Sequence, residues 1–404
     1  MTRFSIFLIT LIIILTVLSP VKAQDFDVDV SGFVKNDLFY DSRQTVSARE
    51  GHFLLWPAPE KLDINDDDIN ETMNYNILAV QSRVSLGLTG PDAFGAKTSG
   101  RIEGDFFAQS NININLFRLR HAFVKLDWGN TELLAGQTWN PMFITHNFPG
   151  TVSFNTGTPF QAFARNPQIK LTQNAGNIRF LIAALAQRDY ASRGPDGATS
   201  KYLRNSGIPD MHFQVHYLSD MFKAGVGGAY KQIVPQLSNN GEKTDEAVPG
   251  LSFLGYVRFD FDNLAIKAEG LYGQNLPDVL QASGFAMKAN TDKVEYLPLS
   301  RLSAWADIHS KGEDFQFGLF AGYSDNLGTS DEIVPGTLYG LGTNIASMMR
   351  VSPRVIFNSG STRFAGELEY TTAAFGSPSS EDAIPENTTE VANLRLLFSI
   401  YYFF

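Results

Sequence analysis

Apolar and polar positions alternate with a period of two along most of this chain. In segment 28–41, Val28, Val30, Val34, Leu38 and Tyr40 share one face, and Asp29, Lys35 and Asp37 share the other. The chain ends the same way. Leu394, Leu396, Phe398, Ile400, Tyr402 and Phe404 alternate with Asn393, Arg395, Ser399 and Tyr401. Successive side chains of a strand point to opposite faces. A strand of about ten residues, apolar on one face and polar on the other, is the repeating unit of a transmembrane β-barrel.

The period predicts sixteen strands, at 28–41, 76–90, 97–110, 116–128, 130–139, 165–173, 177–188, 210–218, 222–233, 251–260, 264–274, 297–309, 315–325, 346–358, 362–375 and 389–404. In the second, Leu78, Val80, Val84, Leu86 and Leu88 oppose Gln81, Arg83 and Ser85. In the fourth, Phe117, Leu119 and Phe123 oppose Arg118 and Arg120. Turns such as Asn174-Ala-Gly-Asn177 and Ser359-Gly-Ser361 alternate with much longer connections. The expectation is an all-β fold, a closed antiparallel barrel of sixteen strands filling 24–404, with short turns on the periplasmic side and long loops outside.

Composition sharpens this picture. Arg3, an apolar run over 4–18 and small Ala23 predict a secretory signal peptide over 1–23. No later stretch is long and apolar enough for a membrane helix. The absence of cysteine excludes thiol catalysis, disulfides and cysteine-ligated metals. The formal charge is −10, and removing Arg3 and Lys22 with the leader takes it to −12. That balance argues against nucleic acid as a partner.

Charge is unevenly placed. Acids crowd predicted loops, as in Asp63-Ile-Asn-Asp-Asp-Asp-Ile-Asn-Glu71, whereas the polar faces carry Arg83, Arg101, Arg118, Arg120, Arg350, Arg354, Arg363 and Arg395. Guanidinium groups pair two-pronged with carboxylates, and rings of arginine favour anions in pores. These eight are the candidate pore-lining residues. The alternative is that they balance Glu103, Asp105, Glu367 and Glu369 and simply keep the interior polar. Loop 140–165, rich in Phe, Thr and Asn, is poorly suited to full exposure and is expected to fold inward and narrow the lumen.

Other motifs carry little. His212 and His216 stand too far apart on a strand to share one ion. Asp63, Asn65 and Asp67 imitate a calcium loop, but Asp68 and Asn74 occupy positions that need Gly and Glu. No catalytic set, metal site or cofactor is expected.

The residues Arg118-Leu-Arg-His-Ala-Phe-Val-Lys-Leu126, Leu133-Leu-Ala-Gly-Gln-Thr-Trp139 and Ser31-Gly-Phe-Val-Lys-Asn-Asp37 resemble DcaP-like trimeric outer-membrane porins. The resemblance implies a homotrimer in outer-membrane lipid, passively admitting small anions such as dicarboxylates. It also implies an N-terminal coiled-coil stalk, but only about five residues separate Ala23 from the first strand. A final strand ending on Phe404 resembles the signal read by the barrel-insertion machinery. Two other classes share this pattern: a barrel used for adhesion or assembly, and an outer-membrane hydrolase. The hydrolase would use His121 or His146, beside which the sequence assigns no serine.

Overall fold

A computed structural model of the chain describes residues 26–239 and 241–404, so the expected leader over 1–23 lies outside the described residues. Sixteen antiparallel strands form the wall. They are β1 (Asp27–Asp41), β2 (in two pieces, Asn74–Leu78 and Arg83–Ala93), β3 (Ala96–Asp105) and β4 (Arg118–Asp127). Next come β5 (Thr131–Trp139), β6 (Arg165–Ala175), β7 (Ile178–Leu185) and β8 (Asp210–Leu218). Then follow β9 (Phe222–Ile233), β10 (Val248–Asp260), β11 (Leu264–Gln274) and β12 (Tyr296–Ser310). The last are β13 (Phe315–Gly328), β14 (Ile345–Ser359), β15 (Thr362–Pro378) and β16 (Pro385–Phe403).

Each strand pairs with its neighbours in sequence, and β1 pairs with β16 from Phe33↔Phe403 to Asp41↔Arg395. Gly32 and Phe404 exchange both backbone hydrogen bonds, at 2.9 and 3.1 Å. The sheet therefore has no free edge in the membrane, where an unpaired backbone amide costs several kcal/mol. Short turns join the strands at one end and longer connections at the other, as the alternation predicted.

The outside is apolar. Val34, Leu38, Phe253, Phe317, Val355, Leu396 and Phe398 are exposed. Their inward neighbours Lys35, Asp37, Arg354, Arg395 and Ser399 are buried. No helix among the described residues is long and apolar enough to cross a membrane.

Two faces depart from the sequence reading, each where an extra residue breaks the alternation. The second strand is interrupted at 79–82, where Ser82 N–H closes a turn on Ala79 O at 3.1 Å. The Ser82 hydroxyl takes over from the ladder by accepting from Lys35 N–H at 3.1 Å. Leu78 and Val80, expected on the lipid face, turn inward instead, Leu78 beside Asp37 and Val80 buried in the interior cluster. The register between β3 and β4 slips between Glu103 and Gly104. This bulge leaves Arg120 and His121, consecutive residues, both buried on the inner side. It also reverses Phe123, which faces the interior beside Arg101 while Val124 is exposed. Gly136 lies opposite at φ +135, where an added Cβ would stand 2.3 Å from Ala122 O. A side chain there would strain the bulge.

Candidate functional site

The connection between β5 and β6, residues 140–164, lies across the barrel interior and is fixed to the wall strand after strand. Gln214 of β8 donates to Pro141 O at 2.8 Å, Arg258 of β10 to His146 O at 2.7 Å, and Lys267 of β11 to Phe148 O at 3.0 Å. Gly150 N–H points to Asp307 of β12 at 3.3 Å. The N–H groups of Val152 and Ser153 both donate to Glu367 of β15, and the Asn155 amide donates to Glu369 at 2.7 Å. Arg350 of β14 donates to Thr158 O at 2.8 Å, and Lys35 of β1 to Val152 O at 3.2 Å.

The apolar side chains of the segment form the interior core. Phe143, Phe154, Phe160 and Phe163 join Phe53 and Trp56 of the 42–73 connection, Phe107, and Trp305 and Phe320 of the wall. Phe160 is 1 % exposed and sits over Gly322, whose Cβ, if present, would lie 2.5 Å from the ring. Burying one such ring contributes roughly 1.5–3 kcal/mol. Polar tethers fix where the segment runs, and the phenylalanines hold it there.

All eight arginines singled out from the sequence face inward. They lie on β14, β15 and β16 and on β2, β3 and β4, two groups of strands that flank β1. Most are paired. Arg118 Nε donates to Asp105 Oδ1 at 2.8 Å. Arg120 donates to Glu103 at 2.7 Å and to Asp105 at 3.0 Å. Arg395 holds Asp41 at 2.6 Å, and Arg350 stands 3.7 Å from Glu369 while its other bonds go to Thr371 and two backbone carbonyls. Arg354 is clamped on Asp307. Arg363 bonds Asn358 at 2.8 Å and lies over the rings of Tyr401 and Phe403. Arg83 is looser, 3.6 Å from Glu103. Arg101 is exposed inside the barrel and makes no ion pair among the described residues.

The acids Asp41, Asp307 and Asp189 were not singled out as partners from the sequence. Asp189 belongs to the 186–209 connection and accepts from Arg165 at 2.9 Å, with Arg118 at 3.7 Å. Burial opposes its ionisation, but Arg165 and Arg118 outweigh that and hold its carboxyl below the ordinary value. Sequence spacing gives no access to such pairs, because the partners lie tens of residues apart or on a loop.

Open space remains beside the 140–164 segment. One chamber of about 330 Å³ is lined by Arg83, Arg101, Trp139, Phe143, Phe148 and Phe154 among others. A second, sharing Trp139 and Phe143, is lined by Lys170, Arg179, His146 and His216. His146 and His216 both contact the Tyr256 hydroxyl, at 2.6 and 2.8 Å, which joins the segment to β8 and β10. His121 contacts Thr138 and lies near Glu103. Neither His121 nor His146 hydrogen-bonds a serine among the described residues. Asp63 accepts from the N–H groups of Asn65 and Asp67 at 2.7 and 3.0 Å, so this carboxylate of the calcium-like sequence braces its own turn.

A closed sixteen-stranded antiparallel barrel with an apolar exterior and a polar, arginine-rich interior is a transmembrane barrel of the porin type, an architecture of the bacterial outer membrane. No protein-family model matches the sequence and no curated protein matches it. Solved structures do. The outer membrane channel DcaP of Acinetobacter baumannii matches with a TM-score of 0.70 at 15 % identity, covering 94 % of this chain and 97 % of that one. The anion-selective porin from Comamonas acidovorans matches with a TM-score of 0.57 at 12 % identity, covering 94 % and 100 %. OmpT, an outer membrane protein of Vibrio cholerae, matches with a TM-score of 0.56 at 12 % identity, covering 95 % and 99 %. At such identities the likeness is one of fold.

Proposed function

We propose that this chain is a porin through which small hydrophilic solutes diffuse passively, with small anions preferred, dicarboxylates among them. The observation that carries this reading is the exposed Arg101 guanidinium inside a closed barrel whose inward acids are mostly engaged by other bases. A cation without a fixed counter-ion attracts mobile anions; a paired one does so far less. The 140–164 segment acts as the constriction, since it occupies the interior and leaves chambers beside it. The selective charge is expected at Arg101 and Arg83, with Lys170 and Arg179 of the second chamber helping. The other six arginines chiefly hold the wall and the loop in place.

The working form on this reading is a homotrimer, inserted after removal of 1–23 through the barrel machinery by its final strand. Purified protein in planar bilayers tests the proposal. Ohmic conductance with a reversal potential displaced toward the anion in a salt gradient supports it. Negligible conductance returns the chain to an adhesive or assembly role. Closure in three equal steps supports the trimer.

A further inference from the structure

The chamber bounded by Arg83 and Arg101 has two chemically distinct walls. One is polar with an excess of arginine. Arg101 is exposed into it, and Arg83 stands 3.6 Å from Glu103 of the same wall, its buried Nε without a hydrogen-bond partner and its guanidinium 5.0 Å above the Phe33 ring. The other is aromatic. Trp139 and Phe143 stack with ring centroids 3.9 Å apart and planes 12° apart, and Phe148 extends the stack at 5.3 Å and 25°. Phe148 is 37 % exposed, an aromatic face left open at the edge of the interior core. The volume, about 330 Å³, lies at the lower end of ordinary small-molecule sites.

We propose that this chamber is a binding subsite for monocarboxylates with a flat aromatic body. The inference rests on the porin reading and narrows the class of preferred anion. The carboxylate pairs with the Arg101 guanidinium, which presents forked donors matched to its two oxygens, with the loosely held Arg83 beside it. The ring lies against the exposed face of Phe148 and the stack behind it. A short dicarboxylate satisfies only one end here. Its second charge would face phenylalanine, where an unpaired ion is costly. A neutral aromatic amide has the body but lacks the charge. The chamber therefore ranks aryl monocarboxylates above both.

The test uses the full-length protein with benzoate, succinate and benzamide as probes. Binding is measured by calorimetry in detergent, and current by planar-bilayer recording. Benzoate is expected to bind at least about tenfold more tightly than succinate or benzamide, and to interrupt single-channel current at lower concentration. Arg101→Ala weakens benzoate about tenfold. Phe148→Ala weakens benzoate and leaves succinate unchanged. Phe148→Leu keeps an apolar side chain without a ring face and gives the same loss, which separates stacking from collapse of the loop. Succinate binding as tightly as benzoate, or Phe148→Ala weakening both alike, overturns the proposal. Conduction without this ranking removes the subsite and leaves the pore. Benzoate binding without conduction keeps the subsite and removes the pore.

Discussion

Arg354 grips Asp307 with both arms, Nη1 to Oδ2 at 2.7 Å and Nη2 to Oδ1 at 3.1 Å, across the intervening strand β13. The grip passes over Gly318, where a Cβ would lie 2.5 Å from the guanidinium carbon. Replacing Asp307 by Ala leaves a buried arginine without its counter-ion, a change that costs about 3–5 kcal/mol in buried pairs. Urea unfolding followed by gel mobility is expected to show a lower midpoint for Asp307→Ala. Gly318→Val lowers it too, through the same pair.

Arg101 carries no such partner. Arg101→Ala is expected to move the reversal potential in a tenfold salt gradient toward the cation while the unfolding midpoint stays near wild type, and adding Arg83→Ala moves the potential further. An unchanged reversal potential would refute the assignment of the selective charge.

Arg118 and Arg120 behave in the opposite way. Each is held by carboxylates, and Arg118→Ala or Arg120→Ala takes from Asp105 or Glu103 its nearest base and leaves only the remaining arginines of the cluster to balance it. Stability falls by several kcal/mol, on the scale of breaking a buried pair. Selectivity shifts too, but Asp105→Asn combined with Arg118→Ala restores most of it, because the charge removed is then balanced. Recovery of anion preference in the double variant is the measurement that separates a paired arginine from a selective one.

Glu367 holds the crossing loop by the N–H groups of Val152 and Ser153. Glu367→Ala removes the one oxygen that accepts from both, and unsatisfied buried amides cost about 1–3 kcal/mol each. The loop is then expected to leave the interior part of the time. Single-channel recordings should show larger and noisier conductance than wild type.

Asp189 gives the acid limb of stability near the loops. Its carboxyl is held below the ordinary value, so the folded form releases a proton that the unfolded chain retains. The stabilisation is therefore present above pH about 4, the ordinary carboxylate range, and is lost as pH falls through the lower folded value. The drop in unfolding midpoint between pH 5 and pH 3 should be smaller in Asp189→Asn than in wild type.

Much of the wall was legible because one rule, the period of two, repeats for fifteen residues in strands such as β1 and for longer still in β16. Val28 to Tyr40 and Leu394 to Phe404 lie on the outer face as their spacing required. What failed was local. One inserted residue at 79–82 or at Arg120–His121 puts the two halves of a strand on opposite parity, yet composition barely changes, so Leu78 and Val80 before the first break and Phe123 after the second were assigned to the wrong side. The interior chemistry was less legible still. The arginines were visible, but whether each is free or paired depends on register. Asp307 lies 47 residues from Arg354 in the chain, and only the placement of β12 beside β13 and β14 makes them partners. The aromatic stack of Trp139, Phe143 and Phe148 likewise required knowing where the loop runs.

Phe404 and Gly32 hold one another through reciprocal backbone bonds. The seam between the first and sixteenth strands is thus closed by this pair, and no strand between them can stand in for either. Until both strands are in place the sheet keeps two raw margins, and lipid is closed to it. A wall of this kind can close only in one concerted act, and loss of the Phe403–Phe404 pairing with the first strand should leave the whole of it unsewn.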